Sequence, residues 1–67
     1  MNINTLKAIN AGVMNAQEAI RLLAWDSYPY GKCADADLGK MFYELNGLCV
    51  TLFEKIHAME AEDNEQN

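Results

Sequence analysis

The fold is decided by residues 38–59, LGKMFYELNGLCVTLFEKIHAM, in which apolar residues recur at alternating steps of three and four. Such steps place side chains along one face of an α-helix that packs against another helix. An upstream segment has the same alternation. We therefore predict an all-α fold, an antiparallel helical hairpin with helices at about 3–24 and 36–61. The upstream apolar set is Leu6, Ile9, Val13, Ala16, Ile20 and Leu23.

The first helix is expected to begin at Asn2 or Asn4, because an amide oxygen at the N-cap accepts from the free amides of the first turn. The polar residues between the apolar ones are predicted to face outward. A glycine inside a helix is unfavourable, so the stretch 12–15 offers an alternative of two helices at 3–11 and 16–25. One continuous helix is favoured because the apolar stripe keeps its phase. The outward set is Lys7, Asn10, Gln17, Glu18 and Arg21.

Residues 25–35 form the predicted connection, since Pro29 and Gly31 both oppose helix continuation there. The second helix is expected to start at Asp35 or Asp37, whose carboxylates can cap its first amides. Asn46-Gly47 is also a typical β-hairpin turn. Helical spacing continues across this dipeptide, and the sequence favours the helix.

The second helix carries more apolar surface than one neighbouring helix covers. Two overlapping stripes occupy close to half of its circumference, and large uncovered patches usually mark interaction surfaces. We therefore predict that two hairpins dimerise into a four-helix bundle. The predicted dimer interface consists of Leu38, Met41, Phe42, Leu45, Leu48, Cys49, Leu52, Phe53, Ile56 and Met59.

The net charge of −5 is concentrated at the C-terminal end. Residues 1–59 carry six acidic and five basic side chains, and four of the ten acidic residues follow. This distribution predicts a hairpin domain at 1–61 and a disordered acidic tail at 62–67. A nearly neutral body is untypical both of nucleic-acid binders, which show a basic face, and of DNA mimics.

A soluble, cytoplasmic protein with free thiols is expected. The N-terminal residues lack the basic region and long apolar run of a signal peptide, and polar residues interrupt every stretch long enough to span a membrane. Cys33 and Cys49 belong to no paired C-x-x-C element, so neither a zinc site nor a redox motif is indicated.

Three aromatic residues in the connection, Trp25, Tyr28 and Tyr30, are the candidate partner-binding residues. Trp and Tyr dominate binding hot spots because they combine a large rigid area with a hydrogen-bonding edge. The alternative interpretation is that they fold back and cap the open end of the bundle. Under that interpretation, Trp25 belongs to the core and Tyr30 is the most exposed.

No catalytic, metal or cofactor site is predicted. The chain has no Gly-rich phosphate loop, and no serine or cysteine in the context of an activated nucleophile. His57 is the single histidine, whereas a transition-metal site needs three or four converging ligands. We therefore expect a protein that is not an enzyme.

The segment 17–24, QEAIRLLA, resembles the first helix of small helix-turn-helix or excisionase-type regulators. The helix that follows departs from that pattern, because it offers only Lys40 near its start to reach phosphates or bases. In length, acidic tail and hairpin pattern, the chain resembles small accessory proteins from the early regions of lambda-like temperate bacteriophages. That resemblance implies a protein that acts by binding a host or phage protein.

The sequence thus predicts a non-enzymatic homodimer that modulates a host or phage protein by stoichiometric binding. A small nucleic-acid-binding regulator is a second hypothesis, in which symmetry doubles a small set of basic side chains. A structural or assembly subunit is a third. The basic set is Lys7, Arg21, Lys32, Lys40 and Lys55.

Overall fold

The computed structural model describes the backbone of residues 1–66 and the side chains of residues 1–62. Helix α1 (Ile3–Ala24) and helix α2 (Ala36–Gln66) form an antiparallel hairpin that measures 48 × 18 × 16 Å. The predicted all-α hairpin is confirmed. The disordered acidic tail predicted at 62–67 falls, except for residue 62, outside the residues whose side chains are described. Its disorder therefore stays a prediction.

Helix α1 is continuous through residues 12–15, so the alternative of two short helices is wrong. Its N-cap is Asn2, whose Oδ1 accepts a hydrogen bond from the Thr5 amide at 2.9 Å. Gly12 does not break the helix because residues on both sides of it, Asn10 and Val13, pack toward α2.

Helix α2 begins after Asp35, which caps it: the Asp35 Oδ1 accepts from the amides of Asp37 at 2.9 Å and Leu38 at 3.1 Å. The helix also continues through Asn46-Gly47, so the β-hairpin alternative is wrong. The physical reason is visible on both sides of the dipeptide. Leu45 and Cys49 keep helical phase and face α1, which a turn at this point would prevent.

The two helices meet along a seam in which every described side chain is buried or half-buried. Both contributions follow steps of three and four. The seam consists of Ile3, Leu6, Asn10, Val13, Gln17, Ile20 and Ala24 in α1. Its α2 residues are Leu38, Phe42, Leu45, Cys49, Leu52, Ile56 and Met59.

The seam corrects the predicted orientation of α1. Asn10 and Gln17 were expected to face outward, but Asn10 is only 7% exposed and Gln17 is half-buried. Ile9 and Leu23, expected on the buried face, are 42% and 87% exposed. The reason is that a second set with the same three-four spacing runs beside the first. In the folded hairpin, the set that contains Asn10 and Gln17 is the one that packs against α2.

The seam is apolar at the end away from the loop and contains polar contacts near its middle. Leu6, Leu52 and Ile56 form the buried cluster, with Ile3, Val13 and Met59 packed against it. Further along, Gln17 Nε2 donates to Asn46 Oδ1 at 3.4 Å, and Cys49 Sγ donates to Gln17 Oε1 at 3.9 Å. These contacts fix how the helices align along their length.

Asn10 is the buried polar residue of the seam. Its Nδ2 donates to Met14 Sδ at 3.6 Å, while its buried Oδ1 accepts no hydrogen bond from the described residues. A buried acceptor without a donor costs about 1–3 kcal/mol. A polar residue inside a helical seam can nevertheless disfavour alternative alignments.

We predict that Asn10→Leu raises the free energy of unfolding by about 1 kcal/mol or more, because it removes an unsatisfied acceptor and adds apolar contact. Urea denaturation measures the change. Asn15→Leu, at an exposed position of the same helix, is the matched control and should be nearly neutral. A lower stability for Asn10→Leu than for the control would contradict the prediction.

Candidate functional site

The connection between the helices is an ordered loop. The Asp26 amide donates to the Lys32 carbonyl at 3.0 Å, and the amides of Tyr30 and Gly31 both donate to the Ser27 carbonyl at 2.9 Å. An isolated antiparallel bridge pairs Trp25 with Cys33. These bonds close residues 25–33 into a compact turn, so its aromatic side chains project from a fixed backbone.

Trp25 closes the loop end of the core. Its Nε1 donates to the Gly31 carbonyl at 3.0 Å, and its ring centroid lies 5.0 Å from that of Phe42 and 5.3 Å from that of Tyr28. Such edge and tilted contacts are favourable aromatic geometries. Trp25 therefore occupies the capping position that the sequence offered as the alternative to partner binding.

The two loop tyrosines differ sharply in exposure. Tyr28 is 42% exposed and packs against Trp25 and Phe42, with the Arg21 guanidinium 5.9 Å from its ring centroid. Tyr30 is 95% exposed. Of the three predicted binding residues, Tyr30 thus presents its whole ring to solvent and Tyr28 presents one edge.

Arg21 also pairs with Glu18 one turn earlier, and Arg21 Nε donates to Glu18 Oε2 at 2.9 Å. This side-chain hydrogen bond lowers the pKa of Glu18 and raises the pKa of Arg21. The pair borders a shallow groove of about 240 Å³ beside Tyr28. Both groups are exposed, so the ion pair contributes little to stability.

An exposed surface with apolar residues from both helices runs along one broad side of the hairpin, and we call it the apolar face. Each helix contributes one row, with steps of three and four, directly beside its seam residues. The α1 row is Thr5, Ile9, Gly12, Ala16, Ala19 and Leu23. The α2 row is Met41, Glu44, Leu48, Thr51, Lys55 and Ala58.

The structure divides the ten residues predicted for a dimer interface. Seven of them form the α2 seam against α1 of the same chain. Met41 and Leu48 remain exposed on the apolar face, at 49% and 45%. Phe53, 48% exposed, lies on the other side of the hairpin and stacks on His57 with centroids 6.3 Å apart.

Sequence reasoning missed the α1 half of the apolar face. Ile9, Ala16 and Leu23 have the right spacing but were taken for the core. They can be identified once the half-polar seam containing Asn10 and Gln17 is recognised as the internal one. At one end of the face, Ile9, Leu52 and Lys55 help to line a groove of about 490 Å³.

The described residues contain no cluster of three or more His, Cys, Asp or Glu side chains placed to hold a metal ion. Neither described helix has an apolar stretch long enough to cross a membrane. Both cysteines are free; Cys33 is half-buried and Cys49 is buried. Two exposed surfaces, the loop tyrosines and the apolar face, are the candidate sites considered below.

Comparison of the chain with protein-family models, curated proteins and solved structures gives no match.

We predict that Gly31→Ala opens the loop, because a Cβ at Gly31 would overlap the carbonyl oxygen of Asp26. Trp25 is the single tryptophan, so its fluorescence should shift to the red as its ring becomes hydrated. Gly47→Ala is the matched control, since a Cβ there meets nothing within 4 Å. Unchanged emission for Gly31→Ala would contradict the loop geometry.

Proposed function

We propose that this chain is a non-enzymatic interaction protein that acts as a homodimer, in which two hairpins pack their apolar faces together as a four-helix bundle. The observation that carries the proposal is the alignment of two exposed rows on one side of the hairpin. Ile9 and Leu23 from α1 lie on the same side as Met41 and Leu48 from α2. A partner with helical rows of its own would cover both.

A second copy that covers the broad side of the hairpin buries an area of the usual size. The whole broad side measures 48 Å by 18 Å, and the apolar rows occupy about 27 Å of that length at 1.5 Å per residue. The contact therefore has to extend beyond the rows to reach the roughly 800 Å² that each partner buries in an interface of standard size. A face that packs on itself around a twofold axis needs no other chain, and twofold dimers are the commonest closed assemblies.

The loop supplies the surface for a further protein. Tyr30 is free of the core, and Tyr28 offers one edge beside Arg21. We propose that these two side chains contact a host or phage protein in the cytoplasm and modulate it by stoichiometric binding. Trp25 packs against Tyr28, and its indole N–H already donates to the Gly31 carbonyl. We therefore assign Trp25 the role of supporting Tyr28.

The placement of the basic residues favours this proposal over nucleic-acid binding. Lys7 lies 3.7 Å from Glu60, and Arg21 is paired with Glu18. Lys55 lies on the apolar face, on the opposite side of the hairpin from Lys7. Phosphate recognition needs cations that converge on one surface, whereas Lys7 and Lys55 lie on opposite sides of the hairpin.

We predict that the protein sediments as a dimer at micromolar concentration and that Leu48→Glu makes it a folded monomer, because a carboxylate in a packed apolar interface lacks a partner. Leu22→Glu is the matched control, since Leu22 is 63% exposed but lies outside the apolar face. Sedimentation equilibrium and circular dichroism measure assembly and fold. A wild-type protein that is a stable folded monomer would refute the proposed dimer.

We predict that Tyr30→Ala abolishes recovery of a specific partner from a lysate of the native host, by loss of a fully exposed aromatic anchor. Phe53→Ala is the matched control, because Phe53 is also an exposed aromatic residue but lies away from the loop. Affinity purification with mass spectrometry identifies the partner, and sedimentation checks that both variants remain assembled. Equal recovery with both variants would contradict the role of Tyr30.

A further inference from the structure

The rows of the apolar face also carry information about orientation. We propose that the two hairpins pair with their loops at opposite ends, α1 against α1 and α2 against α2 of the partner subunit, around a twofold axis at the level of residues 14 and 49–50. This inference rests on the proposed dimer and specifies its geometry.

The charged residues of the apolar face favour this orientation. Glu44 and Lys55 are the charged residues among those named for the apolar face, and neither makes an ion pair within the described residues. When α2 lies antiparallel to α2 of the partner subunit with its midpoint between Leu48 and Thr51, Glu44 faces Lys55 of the partner subunit. Symmetry repeats the contact, so each of these charges gains one opposite charge and the dimer contains two such ion pairs.

The side-chain sizes in the α2 row favour the same orientation. With that midpoint, Leu48 faces Thr51 of the partner subunit and Met41 faces Ala58 of the partner subunit. Every large apolar residue of the α2 row thus meets a small one. Alternation of large and small side chains across facing positions lets two surfaces interdigitate without voids.

The α1 row gives the same pattern independently. If α1 pairs antiparallel with α1 of the partner subunit about the level of residue 14, Ile9 faces Ala19 of the partner subunit and Leu23 faces Thr5 of the partner subunit. Gly12 then faces Ala16 of the partner subunit at the centre. The hairpin itself gives no reason for Gly12, because a Cβ there meets nothing within 4 Å, whereas close approach of a second helix does.

The two midpoints lie at nearly the same level along the hairpin. Within one chain, Gln17 contacts both Asn46 and Cys49, and Lys7 pairs with Glu60. In an antiparallel hairpin these contacts place residue 14 of α1 level with about residues 49–53 of α2, within about one helical turn of the α2 midpoint. One twofold axis near this level therefore brings both rows into the pairings described above.

The opposite orientation, with both loops at one end, fits less well. It would place α2 against α1 of the partner subunit, and the α1 row contains no charged residue. Glu44 and Lys55 would then be covered by apolar and small side chains without a counter-charge, which is unfavourable. The charge pattern thus selects loops at opposite ends.

Charge reversal tests the pairing. Glu44→Lys and Lys55→Glu should each raise the dimer dissociation constant by about tenfold, because each places like charges opposite one another. Mixing the two variants should restore wild-type affinity in a heterodimer, since both contacts then join opposite charges. Glu54→Lys, an exposed reversal outside the face, is the matched control and should leave the dissociation constant unchanged.

The outcomes separate this inference from the proposed dimer. A wild-type protein that does not dimerise refutes the dimer itself. If the wild type dimerises but mixing the two singly reversed variants gives no gain in affinity, the orientation alone is overturned. The same holds if the double variant E44K/K55E fails to recover the affinity that each single variant loses.

Distance between the loops gives a second readout. About 13 residues at 1.5 Å separate the axis from the start of α2, so loops at opposite ends lie about 40 Å or more apart. Nitroxide labels on Tyr30→Cys in a Cys33→Ser background measure this distance by pulsed electron resonance. Values above about 40 Å support the orientation, and values below about 30 Å, expected for loops at one end, overturn it.

Discussion

The constraint on which the structure depends is that two helices share a single seam. A two-helix hairpin gives each helix only one neighbour, so each can cover one stripe of three-four spacing. In α1 that stripe includes Asn10 and Gln17, and the more apolar stripe with Ile9 and Leu23 is left outside. The internal contact is thus partly polar, and the external face is apolar.

This arrangement explains what sequence could and could not predict. The existence of both helices follows from spacing. A cap at Asp35 or Asp37 follows from their carboxylates, and the structure assigns it to Asp35. The rotation of α1 does not follow, because Leu6, Val13 and Ile20 belong equally to an apolar set with Ile9 and to a half-polar set with Asn10. Only the matching side of α2, where Asn46 and Cys49 meet Gln17, decides between them.

The loop shows a similar division. Its composition predicts a turn and an aromatic cluster, but not the separation of roles within that cluster. Trp25 is held in place by a hydrogen bond to Gly31 and by packing against Phe42. The side chain of Tyr30 is 95% exposed. The difference arises from the backbone path between Ser27 and Gly31, which composition alone does not specify.

The proposed dimer would couple assembly to folding. A single core in fewer than about 70 residues supplies only about 3–5 kcal/mol, and here the buried hydrophobic residues are Leu6, Phe42, Cys49, Leu52 and Ile56. An unsatisfied Asn10 reduces that margin further. The proposed dimer would stabilise the folded chain by mass action, because it would remove folded monomer from the unfolding equilibrium. Under that proposal, the exposed apolar rows are the part of the core that a second copy completes.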